Sequence, residues 1–253
     1  MPTTPLVVTF SDWAYQPILE NWLEHLSTLG VSNVRVYCLD ARTERWCRKR
    51  SVSTELIAWD GSLGGLWARR LAVFHGLIES GVEFVHSDTD AIWLRNPFLG
   101  TGDQYEDDLV FSQGTIWPPE AFERWNLVLC CGWFRVKPSL ATLSFFKDLI
   151  ADVAISGDDQ LSVNRLLVRR NLRWPDAPAD YELPFNEHTV HCWHLPRRGR
   201  TADGSLGVTL LPHAEYQRLP EQTEKAVVKH FLTPKRRDKK VAALRAANLW
   251  RLN

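Results

Sequence analysis

The chain has 253 residues, with 30 basic and 30 acidic side chains, and so a formal net charge of zero. That balance excludes a whole-protein field drawing it to nucleic acid or an anionic membrane, so any phosphate recognition has to be local. Five cysteines without a CxxC pair argue against a disulfide framework and a structural zinc site. The short apolar run after Met1 to Pro5 is too brief for a signal core or a membrane span, so the expected location is cytoplasmic.

Leu6 to Phe10 is apolar and β-branched, which predicts a first strand. Ser11-Asp12 ends it and caps a helix expected over 17–29. A second strand is expected over 33–39, a charged helix over 41–50 and a third strand over 56–59. The spacing of Leu71, Phe74, Leu77 and Ile78 predicts a helix over 67–78, and a fourth strand follows over 82–87. Strand and helix alternating in this way imply a parallel sheet covered on both faces, with ligands at the carboxyl ends of the strands.

Further on, 109–111 and 127–136 read as strands. Ser139 opens a helix to about 155, and Asp158 caps another to about 170. The stretch 171–224 is rich in Pro, Arg and short strand-like runs whose order the pattern does not give. Residues 226–232 read as a last strand, followed by a basic helix over 237–252. No repeat or low-complexity linker divides the chain, so a single domain over 1–253 is expected.

The strand Val85-His86-Ser87 delivers Asp88-Thr89-Asp90, two carboxylates two residues apart at a strand end. Unpaired they repel, and a hard divalent cation, Mn²⁺ or Mg²⁺, would relieve that repulsion while bridging nucleotide phosphates. Of twelve tryptophans, Trp93, Trp133 and Trp193 lie beside polar motifs and are candidate sugar or acceptor contacts.

The run GVEFVHSDTDAIWLRNP, ending at Pro97, resembles the nucleotide-diphospho-sugar transferases, glycosyltransferase family 77 and its relatives. Their central motif is an apolar strand, Asp-x-Asp, then Trp-Leu-x-Asp/Asn-Pro. Ala68-Arg69-Arg70 resembles the family's Thr-Arg-Arg helix start. Leu129-Cys130-Cys131-Gly132-Trp133-Phe134 with Lys137-Pro138-Ser139 resembles its Gly-aromatic strand, and Asp159-Gln160 with Asn164 its Asp-Gln-x-x-x-Asn helix start.

The resemblance implies a GT-A fold, a Rossmann-like mixed central sheet with helices on both faces. It further implies a sugar-nucleotide donor, usually a uridine diphosphate sugar, a divalent metal and retention at the anomeric carbon, with a glycan or other hydroxyl compound as acceptor. It places Asp88, Asp90 and His230 on the metal, and Thr89, Gly132 and at least one of Arg69 and Arg70 with the donor. Lys235 and Arg236 would meet the diphosphate, and Asp159 and Gln160 the reacting face of the sugar. Position at the end of the first strand adds Thr9, Phe10 and Asp12 for base and ribose, although helix capping accounts equally well for Asp12. Acceptor contacts are expected in the loops 100–108 and 171–224.

Two other readings compete. Asp88-Thr89-Asp90, Lys147 and Gly157-Asp158-Asp159 follow the order of haloacid dehalogenase-type phosphohydrolases, although three strands precede the aspartates here and Ile92 departs from that motif. The tryptophans would also suit a non-catalytic carbohydrate-binding protein on a transferase scaffold.

Overall fold

The computed structural model describes residues 4–99, 106–221, 224–234 and 236–252. In chain order the elements are β1 (Leu6–Ser11), a 3₁₀ turn (Trp13–Tyr15), α1 (Gln16–Thr28), β2 (Val34–Cys38), α2 (Ala41–Lys49), β3 (Ser53–Leu56) and α3 (Leu63–Glu79). Then come β4 (Phe84–Ser87), β5 (Ala91–Trp93), β6 (Leu109–Gln113), α4 (Pro119–Trp125), β7 (Leu129–Val136), α5 (Leu140–Ser156) and α6 (Asp159–Arg169). The C-terminal part holds β8 (Tyr181–Phe185), β9 (His188–Cys192), β10 (Arg197–Arg200), β11 (Gly207–Leu210), β12 (Tyr216–Gln217), β13 (Val228–His230) and α7 (Arg237–Ala246).

Eight strands form one mixed sheet in the order β10-β11-β6-β7-β4-β1-β2-β3. The run from β3 to β4 is parallel, and β7 enters antiparallel between β4 and β6. Adjacent residues of β1 face opposite ways, as the pleat requires: Val8 packs with Leu71, Phe74 and Phe145 of α3 and α5, and Val7 with Ile18 and Trp22 of α1. Helices therefore cover both faces, and this is the Rossmann-like mixed sheet of the GT-A expectation.

Differences from the sequence reading have local causes. The third strand is the polar Ser53–Leu56, an edge strand that needs no apolar run, while the apolar 57–59 leaves the sheet and brings Trp59 to a cavity. Helix α3 starts at Leu63, earlier than the apolar spacing suggests, because Ser62 caps Gly65 N and Gly64-Gly65 hide the helical signal. Helix α7 stops at Ala246. Asn248 takes a left-handed backbone (φ 56°), and the chain then turns so that Leu249 O accepts from Asn21 and lies 3.0 Å from His25 Nε2.

Within 171–224 lie the β8–β9 hairpin, the pair β10–β11 that extends the main sheet, and β12. Strand β12 joins β13 and β5 in a separate three-stranded sheet. There His230 is registered against Ala91, so the last strand is clasped to the chain just past Asp90.

Helix α6 is fixed to β7 by Asn164, whose amide accepts from Leu129 N at 3.0 Å and donates to Leu129 O at 2.9 Å and Gln160 O at 2.8 Å. The side chain is fully buried. Asn164→Ala would leave buried backbone groups without partners, and we expect it to lower the unfolding free energy by about 2–3 kcal/mol in urea titration. A loss below about 0.5 kcal/mol, the size of an ordinary surface change, would mean that the amide clamp does not hold the helix.

Candidate active site

The carboxyl ends of β1 and β4 open onto a cavity of about 300 Å³ lined by Phe10, Asp12, Tyr15, Trp59, Trp67, Arg70, Asp88, Thr89, Asp90 and Lys240. A second space of about 220 Å³ shares Trp67, Arg70, Asp88 and Lys240 with it and adds Trp117, Gly132, Asp158, Asp159, Gln160, Arg218, His230 and Thr233. Asp88 thus stands on the border of both.

The Asp88-Thr89-Asp90 turn is held by its backbone. Asp88 N donates to Gly132 O at 2.8 Å, and Ala91 N donates to Asp88 O at 3.0 Å. Asp88 Oδ1 lies 3.4 Å from Arg70 Nη1 and 3.1 Å from His86 Nε2. Asp90 Oδ2 takes the ammonium of Lys240. His230 Nε2 faces both aspartates at 3.8 and 3.6 Å, beyond hydrogen-bond distance, while its Nδ1 lies 3.6 Å from Cys130 Sγ.

Burial works against the charge on Asp88, but the His86 contact and the cationic field of Arg70 outweigh it and hold the carboxyl far below its ordinary range. Burial likewise opposes ionisation of Asp90, yet His230 and Lys240 lower it to about 2. His86 is pushed down to about 4 by burial and by Arg70, and is neutral near pH 7. Asp159 is raised by burial, with Arg70 partly offsetting that.

Asp88, Asp90 and His230 offer ligand atoms that all lie within 4.8 Å of one another. Two oxygens and one imidazole suit Mn²⁺ or Mg²⁺, and opposite ligands on such an ion stand roughly 4.2 Å apart for bonds of ~2.1 Å. The Cys130 contact on the far ring nitrogen orients His230 as outer partners of metal-bound histidines do. The residues fit the group.

Arg70 is buried and central, reaching Asp159 Oδ2 at 3.1 Å as well as Asp88 and His86. Arg69, one position and about 100° away on the helix, lies in a different depression with Arg35 and Glu55 and does not reach the cluster. Thr9 is fully buried in β1, its hydroxyl without a partner among the described residues, and only Phe10 and Asp12 of that trio face the cavity. Asp12 also caps the 3₁₀ turn through Tyr15 N.

Asp158 caps α6 through Leu161 N, which frees Asp159 and Gln160 to face the second cavity. Gln160 Oε1 accepts from Cys131 N at 3.3 Å and its Nε2 donates to Trp117 O at 2.8 Å. Arg236 is exposed, pairs with Asp238 and lines neither cavity, and Lys235 lies outside the described residues. Trp93, Trp133 and Trp193 are buried core residues that line neither cavity, which corrects the sugar-contact expectation for them; Trp59, Trp67 and Trp117 line the cavities instead. Lys147 is exposed on α5, so the phosphohydrolase constellation does not assemble.

Lys240 was not singled out by the sequence reading. The signal was there: Leu244, one helical turn later, is the buried residue of α7, which turns Lys240 inward too. His86 and Arg218 were likewise hidden, the first inside an apolar strand and the second among the short strands.

The nucleotide-diphospho-sugar transferase family model matches residues 29–246. The chain belongs to that family. Among relatives, the transferase is 24% identical over 227 residues to arabinosyltransferase XEG113 of Arabidopsis thaliana, a match covering 82% of this chain and 32% of the other. It therefore spans about a third of that relative's length. Solved structures similar to it include the WbbM bifunctional glycosyltransferase (TM-score 0.46, 10% identity, 66% of this chain and 38% of that one). Another is apo GlyE of Streptococcus pneumoniae (TM-score 0.44, 17% identity, 65% and 43%). A third is the galactosyltransferase LgtC in complex with donor and acceptor sugar analogues (TM-score 0.41, 10% identity, 63% and 68%). No helix among the transferase's described residues is long and apolar enough to cross a membrane.

Proposed function

We propose that this glycosyltransferase moves a sugar from a uridine diphosphate donor to a hydroxyl acceptor with retention, using a divalent cation held by Asp88, Asp90 and His230. The carrying observation is the convergence of those three side chains at the border of two cavities. When bound, Mn²⁺ or Mg²⁺ supplies charge neutralisation for the departing diphosphate.

The protein's own groups support each part. Phe10, Tyr15, Trp59 and Trp67 give the first cavity aromatic walls for the base, and the carboxylate of Asp12 is placed for ribose hydroxyls. Lys240 and Arg70 add fixed positive charge near the leaving group in a partly water-excluded setting. Inversion requires a free general base at the acceptor. Each carboxylate lining the second cavity is engaged: Asp88 with Arg70 and the ligand cluster, Asp158 in the helix cap, and Asp159 with Arg70. Retention fits that arrangement, with the leaving phosphate taking the acceptor proton on the same face and Gln160 positioning the sugar. The acceptor is a glycan, glycoside or other hydroxyl compound. The cytoplasmic assignment is part of the same proposal and rests on five unpaired, buried thiols.

Nucleotide sugars should raise the melting temperature only with Mn²⁺ or Mg²⁺ present, since ligands of the native state stabilise it by mass action. Proton NMR of the first product from an α-linked donor should show an α linkage, and a β coupling would reject retention. Gln160→Ala should lower turnover more than donor affinity.

A further inference from the structure

A further cavity, of about 500 Å³, shares no lining residue with either space of the candidate active site. Helix α6 sets the separation. Its first residue, Asp159, faces the active site, and the chain that follows its last turn lines this cavity, roughly 15 Å further along the axis. Arg173 lies in that following chain, Arg124 comes from α4, and Arg197 from the start of β10, the edge strand of the main sheet.

Three guanidinium groups therefore line one cavity. Arg165, Arg169 and Arg170, on and just after α6, are each paired with a carboxylate. Arg124, Arg173 and Arg197 form no ion pair among the described residues, and Asp176 is the one acidic side chain in the lining. Arg197 is held by other means: its guanidinium lies 4.2 Å from the centre of the Trp193 ring and donates to Pro175 O. Burial works against its charge, and Asp176 offsets that only in part. Trp125 and Trp174 supply the apolar walls, meeting edge to face with ring centres 6.2 Å apart. The buried indole N–H of Trp174 has no acceptor among the described residues.

A guanidinium fork matches a planar or tetrahedral oxyanion, and three forks without a carboxylate of the protein's own are suited to one brought from outside. Flat indole walls suit the C–H face of a sugar ring. The volume lies within the ~300–1,000 Å³ of small-molecule sites. We infer that this cavity binds an acidic saccharide, its carboxylate or sulfate on Arg124, Arg173 and Arg197 and its ring against Trp125 and Trp174. Binding here needs neither donor nor metal, so the inference stands independently of the donor-site reading.

Titration calorimetry on the whole protein, without UDP or metal, tests it with digalacturonate, galactose 6-sulfate, the dimethyl ester of the first, plain galactose and inorganic sulfate. At least one acidic saccharide should bind tenfold or more tightly than both its uncharged counterpart and inorganic sulfate, and which one does so identifies the oxyanion. Arg124→Ala and Arg173→Ala remove exposed side chains and should each weaken that binding on the order of tenfold. Arg48→Ala removes the same charge from α2, by the opposite edge of the sheet, and should leave it unchanged. The proposal is overturned if neither acidic saccharide binds, if the uncharged forms or inorganic sulfate bind as well, if a phosphoserine peptide binds more tightly than both saccharides, or if the Arg124→Ala and Arg173→Ala proteins, shown folded by their melting curves, bind as wild type does. Absent UDP binding with acidic saccharide binding intact would defeat the donor reading alone.

Discussion

Gly132→Ala should remove metal-supported donor binding while most of the fold survives. A Cβ at this position would stand 2.0 Å from His230 Cε1 and 2.3 Å from its Nδ1, far inside contact distance. The strand has little room to retreat, because Gly132 lies within β7 and its carbonyl accepts from Asp88 N. The imidazole must therefore swing away from Asp88 and Asp90. Overpacking of this kind costs about 1–3 kcal/mol of stability, which a folded domain survives. Displacing a proposed ligand should weaken Mn²⁺-dependent UDP binding on the order of 100-fold by titration calorimetry. Affinity within about twofold of wild type would remove His230 from the metal assignment.

Asp88→Asn and Asp90→Asn should each abolish the Mn²⁺ dependence of UDP binding and reduce transfer roughly 10²–10³-fold, the several kcal/mol a bound metal supplies at the leaving group. Asparagine keeps the shape and removes the charge, so the outcome reports electrostatics. Unchanged Mn²⁺-dependent binding in both variants would refute the site. Acid behaviour gives a second readout. A carboxylate depressed to about 2 stabilises the fold above the ordinary carboxylate range, and that contribution is lost as pH falls through its folded value. Asp90→Asn should therefore flatten the stability decline between about pH 4 and pH 2, seen as a smaller loss of melting temperature than wild type shows there.

Much of the candidate site was legible because its residues sit on strongly patterned elements. Asp88 and Asp90 end an apolar strand, and Asp158 followed by Asp159-Gln160 opens a periodic helix. Arg69 and Arg70 show where reading stops. Their sequence context is the same, and only the helix phase set by Leu71 and Phe74 buries one and exposes the other. The tryptophans misled for a related reason. Proximity in sequence to Asp90 or Gly132 put Trp93 and Trp133 on strands packed inward, while Trp59, Trp67 and Trp117 reach the cavities from loops and a helix start. The strands β8 to β12 were illegible because they are two to five residues long, and β11 owes its place in the main sheet to β6, far away in sequence, rather than to local propensity.

The clasp between β13 and β5 also sets an order of events during synthesis. Asp88 and Asp90 are delivered early, but His230 arrives only when β13 registers on β5, and Lys240 contacts Asp90 across 150 residues of chain. Closing so long a loop has to await the C-terminal segment, and contacts of this separation are slow to form. A nascent chain with its first strands folded thus has Arg70 and His86 beside Asp88 but lacks His230 and Lys240, the partners of Asp90. On the proposed reading, nucleotide capture is tied in time to the arrival of β13 and α7, so a chain without them could not sequester donor.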